Sequence, residues 1–218
     1  MLTKEQKITL ETIFDSGIKD AAAWGGGTAL SEIYLHHRRS EDIDIILSDL
    51  PTGDILTILS NQIAEKIGAK SKKSTTKMNR FQYVFGLPNR KQQKLEFIYY
   101  PFPKLGRIKK IDHVHVESLF DIAVSKTLTA YQRREVKDAF DLYVILSNEH
   151  FSLKQLVSGV EKKFGEIIDT ATLLAKISTN LNDYAKLTPL LVEKKYSKND
   201  MLKFFQKELE RFLKKNNL

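Results

Sequence analysis

The 218-residue chain contains no cysteine. That absence excludes a disulfide-stapled secreted scaffold, a thiolate zinc site and a cysteine nucleophile, and it suits a reducing or redox-indifferent compartment. Long apolar runs are missing too. None approaches the roughly 18 residues that span a bilayer, and residues 1–19 form a charged amphipathic stretch rather than a signal peptide, so a cytoplasmic protein away from membranes is expected. Histidines are few and poorly spaced for zinc. His36 and His37 are adjacent and face different ways on a helix, while His113 and His115 share a strand face without a Glu-x-x-His partner. No serine sits in a Gly-x-Ser-x-Gly elbow, and neither a Walker phosphate loop nor a Rossmann glycine fingerprint occurs. What is present is an ordinary globular composition, 42% hydrophobic and 28% charged, in a chain long enough for one large or two small cores.

Charge is unevenly spread. Residues 66–137 hold 17 Lys and Arg against 5 Asp and Glu, so the formal +8 of the chain is a middle of +12 and a remainder of −4. A basic middle suits a polyanion such as a nucleotide or nucleic acid, although a run of lysines also serves simply as a solvated face.

Periodicity divides the chain in two. Thr3 caps a helix carrying Ile8, Ile13 and Phe14 that ends by Gly17. A strand at 21–24, a helix at 28–36, a strand at 43–47 and a helix at 54–67 follow. Two strands at 80–85 and 94–100, joined by the polar turn at 87–93, read as a hairpin, and 113–116 adds a short strand. From Glu117 the period is helical, at 117–132, 135–147 and through the tail, with breaks at Pro189 and at 197–200. An α/β half over 1–116 thus precedes a helical half over 117–218.

The residues able to carry chemistry cluster in that order. Gly25, Gly26 and Gly27 lie between a strand and a helix N-terminus, where small residues let backbone N–H groups approach a phosphate and the helix dipole favours its charge. Thr28 adds a hydroxyl. Asp42 and Asp44 alternate onto one face of their strand, spaced to hold one or two Mg²⁺ ions between carboxylates that would otherwise repel. Glu96 interrupts an apolar strand. A buried carboxylate there needs a partner, which a metal at Asp42 and Asp44 would supply; on an edge strand it would instead face solvent. Lys126 falls on the buried stripe of its helix with Ile122, Ala123 and Ala130, and wants an anion. A triphosphate would serve, and so would an ion pair with Asp138 or Asp141, which lie three apart and share a face with Ile145.

The stretches 25–30 and 37–44, then Lys126, then 137–141 resemble in their order the AbiEii/AbiGii family of nucleotidyltransferase toxins, within the DNA polymerase β-like nucleotidyltransferase superfamily. The resemblance covers residues 20–147 and reaches the helical tail only loosely. It implies an α/β (α+β) nucleotidyltransferase fold: a mixed sheet flanked by helices over 1–116, and a C-terminal helical domain over 117–218 that completes the active site. Position by position it implies that Gly26, Gly27, Thr28, Arg38 and Lys126 bind the NTP. It places Mg²⁺ on Asp42 and Asp44 with Glu96 as third carboxylate, and has Asp138 or Asp141 orient Lys126. Arg39 stands where an apolar residue is more usual. The implied activity is Mg²⁺-dependent transfer of NMP from an NTP to an acceptor hydroxyl, with tRNA 3′ ends as acceptor, by the toxin of a bacterial toxin–antitoxin or abortive-infection pair with a cognate antitoxin. The alternatives are nucleotidylation of a small molecule, as in antibiotic modification, or of a protein, and an inactive RNA-binding member of the fold.

Overall fold

A computed structural model of the chain describes residues 2–148, 150–193 and 195–215. The chain forms two units: Met1–Tyr34, Ser40–Pro103 and Arg107–Ser118 make the first, and Leu35–Arg39, Lys104–Gly106 and Leu119–Leu218 the second.

The first unit is built on a seven-stranded mixed sheet in the order β3-β4-β5-β2-β1-β7-β6. Its strands are β1 (Ala22–Gly25), β2 (Ile43–Leu47), β3 (Ser71–Lys77), β4 (Arg80–Gly86), β5 (Gln92–Tyr99), β6 (Lys109–Ile111) and β7 (Val114–Val116). The β2–β5 and β1–β7 pairs are parallel and the others antiparallel. Alternation decides the faces. Ile43, Ile45 and Leu47 of β2, Leu95 and Phe97 of β5, and Tyr83 and Phe85 of β4 are all buried on one face. Helices α1 (Lys4–Phe14) and α3 (Ile55–Lys66) cover that face. Gln93 of β5 donates to Thr9 of α1 at 2.6 Å, and Lys72 of β3 donates to Ser60 of α3 at 3.0 Å. The start of α1 is fixed as its sequence requires: Thr3 and Gln6 close a capping box.

Two strands lack the apolar pattern that marks a strand in the sequence. β3 reads Ser-Lys-Lys-Ser-Thr-Thr-Lys and β6 Lys-Lys-Ile; both pair on one side only, so neither needs the apolar alternation that marks a buried strand. The helix expected at 28–36 begins at Gly26 as α2 (Gly26–Ala29) and widens into a π-helical turn over Leu30–Leu35. His36 at φ 50° ends it, and the Tyr34 hydroxyl donates to the Glu117 carbonyl oxygen at 2.7 Å.

The second unit is helical, with α4 (Leu119–Gln132), α5 (Val136–Ser147), α6 (Leu153–Phe164), α7 (Thr170–Asn180), the short α8 (Tyr184–Leu187) and α9 (Lys198–Lys215). Leu128, Phe140, Leu142, Leu156, Leu173, Leu174 and Phe205 fill its core. Gly159 lets α6 approach α4 closely, since a Cβ there would stand 2.4 Å from a Val124 methyl. The breaks read from the tail are a 3₁₀ turn at Thr188–Leu190 around Pro189 and the entry to α9, where Ser197 accepts from the Asp200 N–H at 3.1 Å. The helical unit takes up the chain from Leu119 and also includes the short segments at 35–39 and 104–106. Asp121 holds the latter by accepting from the N–H groups of Leu105 (3.0 Å) and Gly106 (2.9 Å).

Candidate active site

In the first unit, sheet register brings the glycine turn and the carboxylates together. Asp44 lies between two register partners, Gly25 on β1 and Glu96 on β5. Gly26 has φ +69°, and a Cβ there would fall 2.0 Å from Asp44 Oδ2. Both the backbone and the space therefore require glycine. Gly25 is constrained in a second way: a Cβ would meet the Glu117 carboxylate at 2.3 Å. Sequence reasoning did not single out Glu117, because its placement depends on the parallel pairing of β7 with β1, anchored by the Glu117 N–H donating to the Trp24 carbonyl at 2.9 Å.

Thr28 is fully buried. Its hydroxyl donates to the Asp42 carbonyl oxygen and shares a hydrogen bond with the Ser40 hydroxyl at 2.9 Å. The side chain expected to reach a phosphate instead ties the first turn of α2 to the approach of β2, leaving its backbone N–H as the group near the turn. Asp42 is half exposed, with Lys94 Nζ 3.5 Å from its carboxylate. Glu96 is buried, and its partner is Arg80, whose guanidinium donates to Oε2 at 2.8 Å. Among the described residues no three His, Asp or Glu side chains gather into a group that could hold a metal ion. The expected set of Asp42, Asp44 and Glu96 is thus not assembled as three ligands, and an arginine satisfies the buried glutamate. The remaining pair fits Mg²⁺ in donor chemistry: two hard carboxylates suffice for an ion that keeps several waters and takes substrate phosphates as further ligands.

The second unit gathers a different set. Lys126 Nζ lies 2.9 Å from Asp138 Oδ1 and 2.9 Å from Asp141 Oδ2. The ion-pair partners expected for Lys126 are therefore both engaged, using two of its three donors. Asp141 is the most enclosed acid. His37 Nε2 donates to Oδ1 at 2.7 Å, and Arg38 adds Nε at 2.6 Å and a terminal N–H to Oδ2 at 2.8 Å. Burial alone would raise the Asp141 pKa, but Arg38, then Lys126 and the His37 hydrogen bond, outweigh it and hold the carboxyl well below the usual range. Burial would likewise lower Lys126, yet Asp141 and Asp138 keep it raised. Asp138 is lowered against its own burial by Lys126 and by Arg133, which donates from Nε at 2.7 Å.

Arg38, expected on a nucleotide, is 3% exposed and clamped to Asp141. It fastens the segment at 35–39 to α5, an arrangement that sequence reasoning could not see because the partners are 103 residues apart. His37 belongs to the same clamp. Arg133 stands apart from these: its side chain is 52% exposed while it grips a fully buried Asp138.

The profile described as "Nucleotidyl transferase AbiEii toxin, Type IV TA system" matches residues 8–216. The chain belongs to the AbiEii family. It is a nucleotidyltransferase of that toxin–antitoxin family, built on a mixed α/β architecture. It is 29% identical over 168 residues to the uncharacterized protein aq_aa25 of Aquifex aeolicus (strain VF5), covering 76% of this chain and 77% of that one. Its fold is similar to the crystal structure of JHP933 from Helicobacter pylori, at a TM-score of 0.59 and 18% identity, covering 98% of this chain and 94% of that chain. MenT4, a nucleotidyltransferase toxin of Mycobacterium tuberculosis H37Rv, aligns over 94% of this chain and 89% of its own at a TM-score of 0.41 and 12% identity. No helix among the described residues of this AbiEii chain is long and apolar enough to cross a membrane.

Proposed function

We propose that this AbiEii protein transfers a nucleoside monophosphate from an NTP to the 3′-terminal hydroxyl of an RNA, with tRNA as acceptor and Mg²⁺ as the metal, and that a cognate antitoxin restrains it in the cytoplasm. The observation that carries the reading is Asp44, whose carboxylate lies against Gly26 at the strand-to-helix turn and beside Glu96 in the sheet. A phosphate bound at that turn would lie against the carboxylate and be repelled by it unless a cation joined the two charges.

Asp42 and Asp44 hold Mg²⁺, which when bound offsets the charge of the triphosphate and of the departing pyrophosphate. The backbone N–H groups at Gly27 and Thr28 begin α2 without helical partners and bind phosphate oxygens. The acceptor oxygen forms its bond to the α-phosphorus as the bond to the bridging oxygen breaks, and pyrophosphate leaves with that electron pair. The acceptor proton passes to Glu96, where Arg80 takes Oε2 and leaves Oε1 to receive it. Lys126 keeps one donor beyond the two it gives to Asp138 and Asp141, and offers it to an anion. Of the two helix aspartates, Asp138 is the functional one, because its other cation, Arg133, reaches solvent; Asp141, saturated by His37, Arg38 and Lys126, is structural.

The test is growth inhibition on expression of the chain beside its Asp42→Asn/Asp44→Asn variant, with folding of both checked by thermal melting. Loss of inhibition in a folded variant is expected. Equal inhibition by both would end the catalytic assignment.

A further inference from the structure

The face of the sheet that bears Asp42 and Asp44 continues beyond them. Register places Asp44 beside Glu96, Glu96 beside Gln82 and Gln82 beside Thr75, so the four side chains lie in one row across β2, β5, β4 and β3. One row to one side, Lys94 pairs with Val84 and Val84 with Lys73; one row to the other, Ile98 pairs with Arg80 and Arg80 with Lys77. Lys73, Lys77, Arg80 and Lys94 thus share the face of the catalytic carboxylates, whereas Lys72 points to the other face and donates to Ser60 and Asn61. The charge on this face is sorted by strand. Acids occupy β2 and the middle of β5, and cations occupy β3, the start of β4 and Lys94.

Lys73, Thr75 and Lys77 are exposed, and neither lysine is used by the site described above. Three strand spacings separate β2 from β3, about 14 Å, and four residues separate Lys73 from Lys77 along β3, also about 14 Å. These are spans of a few nucleotides. An anion that must bring one hydroxyl to Asp42 and Asp44 and keep the rest of its charge away from them has a path here, outward over β4 to the β3 edge.

We infer that the β3–β4 hairpin face is the acceptor platform, where Lys73 and Lys77 bind phosphates of the RNA a few nucleotides before its reacting 3′ end. The inference rests on the transfer reading above and adds the place on the fold where the RNA acceptor is held. Arg80 stands at the junction, linking the platform to Glu96 through its ion pair.

The experiment measures binding of a fluorescein-labelled 12-nucleotide oligouridine RNA by anisotropy across a salt series, without NTP. Lys73→Gln/Lys77→Gln is compared with Lys73→Arg/Lys77→Arg, and with Lys7→Gln/Lys66→Gln, which removes equal charge from exposed positions on α1 and α3. The expected result is a roughly tenfold weaker affinity for Lys73→Gln/Lys77→Gln at moderate salt and a salt slope smaller by about 1.4, with both other pairs near wild type. Equal loss in Lys7→Gln/Lys66→Gln, or no binding by the wild type, overturns the platform. So does unchanged binding accompanied by self-association, which would make these lysines guards of an edge strand. Transfer to tRNA undiminished in Lys73→Gln/Lys77→Gln overturns the platform and leaves the transfer reading standing. Binding lost as expected in a protein that transfers to no RNA does the reverse.

Discussion

Gly26 offers a test in which backbone strain and site geometry separate. A side chain at φ +69° costs about 1–2 kcal/mol whatever surrounds it. Gly68, beyond the end of α3, has φ +65° with nothing within 4 Å of a Cβ, so Gly68→Ala carries that backbone cost alone. Gly26→Ala carries it too, and in addition sets a methyl 2.0 Å from Asp44 Oδ2, where ordinary contact begins near 3.4 Å. The carboxylate must retreat by more than an ångström, and a displacement of about 1 Å in a reacting constellation costs on the order of a hundredfold in rate. Both variants should therefore melt lower, by roughly 5 °C, while only Gly26→Ala should lose nucleotidyl transfer, by about two orders of magnitude. The assay is label transfer from NTP to RNA alongside thermal melts of both proteins. If Gly26→Ala transfers as well as Gly68→Ala, the placement of Asp44 at a phosphate-binding turn is wrong.

Other expectations follow from the same contacts. Asp141→Asn should destabilise the helical unit by about 3–5 kcal/mol at neutral pH, because Arg38 and Lys126 lose a buried counter-charge, as urea unfolding would measure. The folded pKa of Asp141 is depressed, so the wild type holds this stability above the unfolded value near 3.9 and loses it as pH falls below that toward the folded pKa. Melts between pH 2 and 7 should show that acid loss in the wild type and a flatter curve in Asp141→Asn; parallel curves would refute the clamp. Thr28→Val leaves the Asp42 carbonyl without its donor and should cost about 1–3 kcal/mol with reduced transfer, while Thr28→Ser stays near wild type. Arg133→Gln, which removes the half-exposed partner of Asp138, should weaken transfer more than stability; a large fall in melting temperature at full activity would assign Asp138 to structure.

The parts of the fold legible in the sequence are those whose pattern answers to a single core. β2 alternates Ile43, Ile45 and Leu47 inward with Asp44 outward, and α3 carries Leu56, Leu59 and Ile63 to the sheet; both show in the spacing of apolar residues. β3 does not, because an edge strand with one neighbour is specified by pairing with β4 and carries lysine and threonine on both faces. The carboxylates and glycines of the candidate site were legible as local motifs. Their partners were not: Arg80 reaches Glu96 across a diagonal of the β4–β5 pair, and His37 and Arg38 meet Asp141 from more than a hundred residues away. Spacing within one element reveals which side chains share a face. Which charge neutralises a buried acid is decided by tertiary pairing, so Glu96 reads in sequence as a metal ligand and in structure as half of an ion pair.

Asp42 and Asp44 are proposed to support nucleotide transfer to RNA, and one incubation tests this directly: purified protein, Mg²⁺, total tRNA and each of the four α-labelled NTPs in turn, beside the Asp42→Asn/Asp44→Asn protein. Label is expected in tRNA with at least one NTP and with the intact carboxylates only. Label transferred equally by the double variant, or no label in tRNA from any NTP, would contradict it.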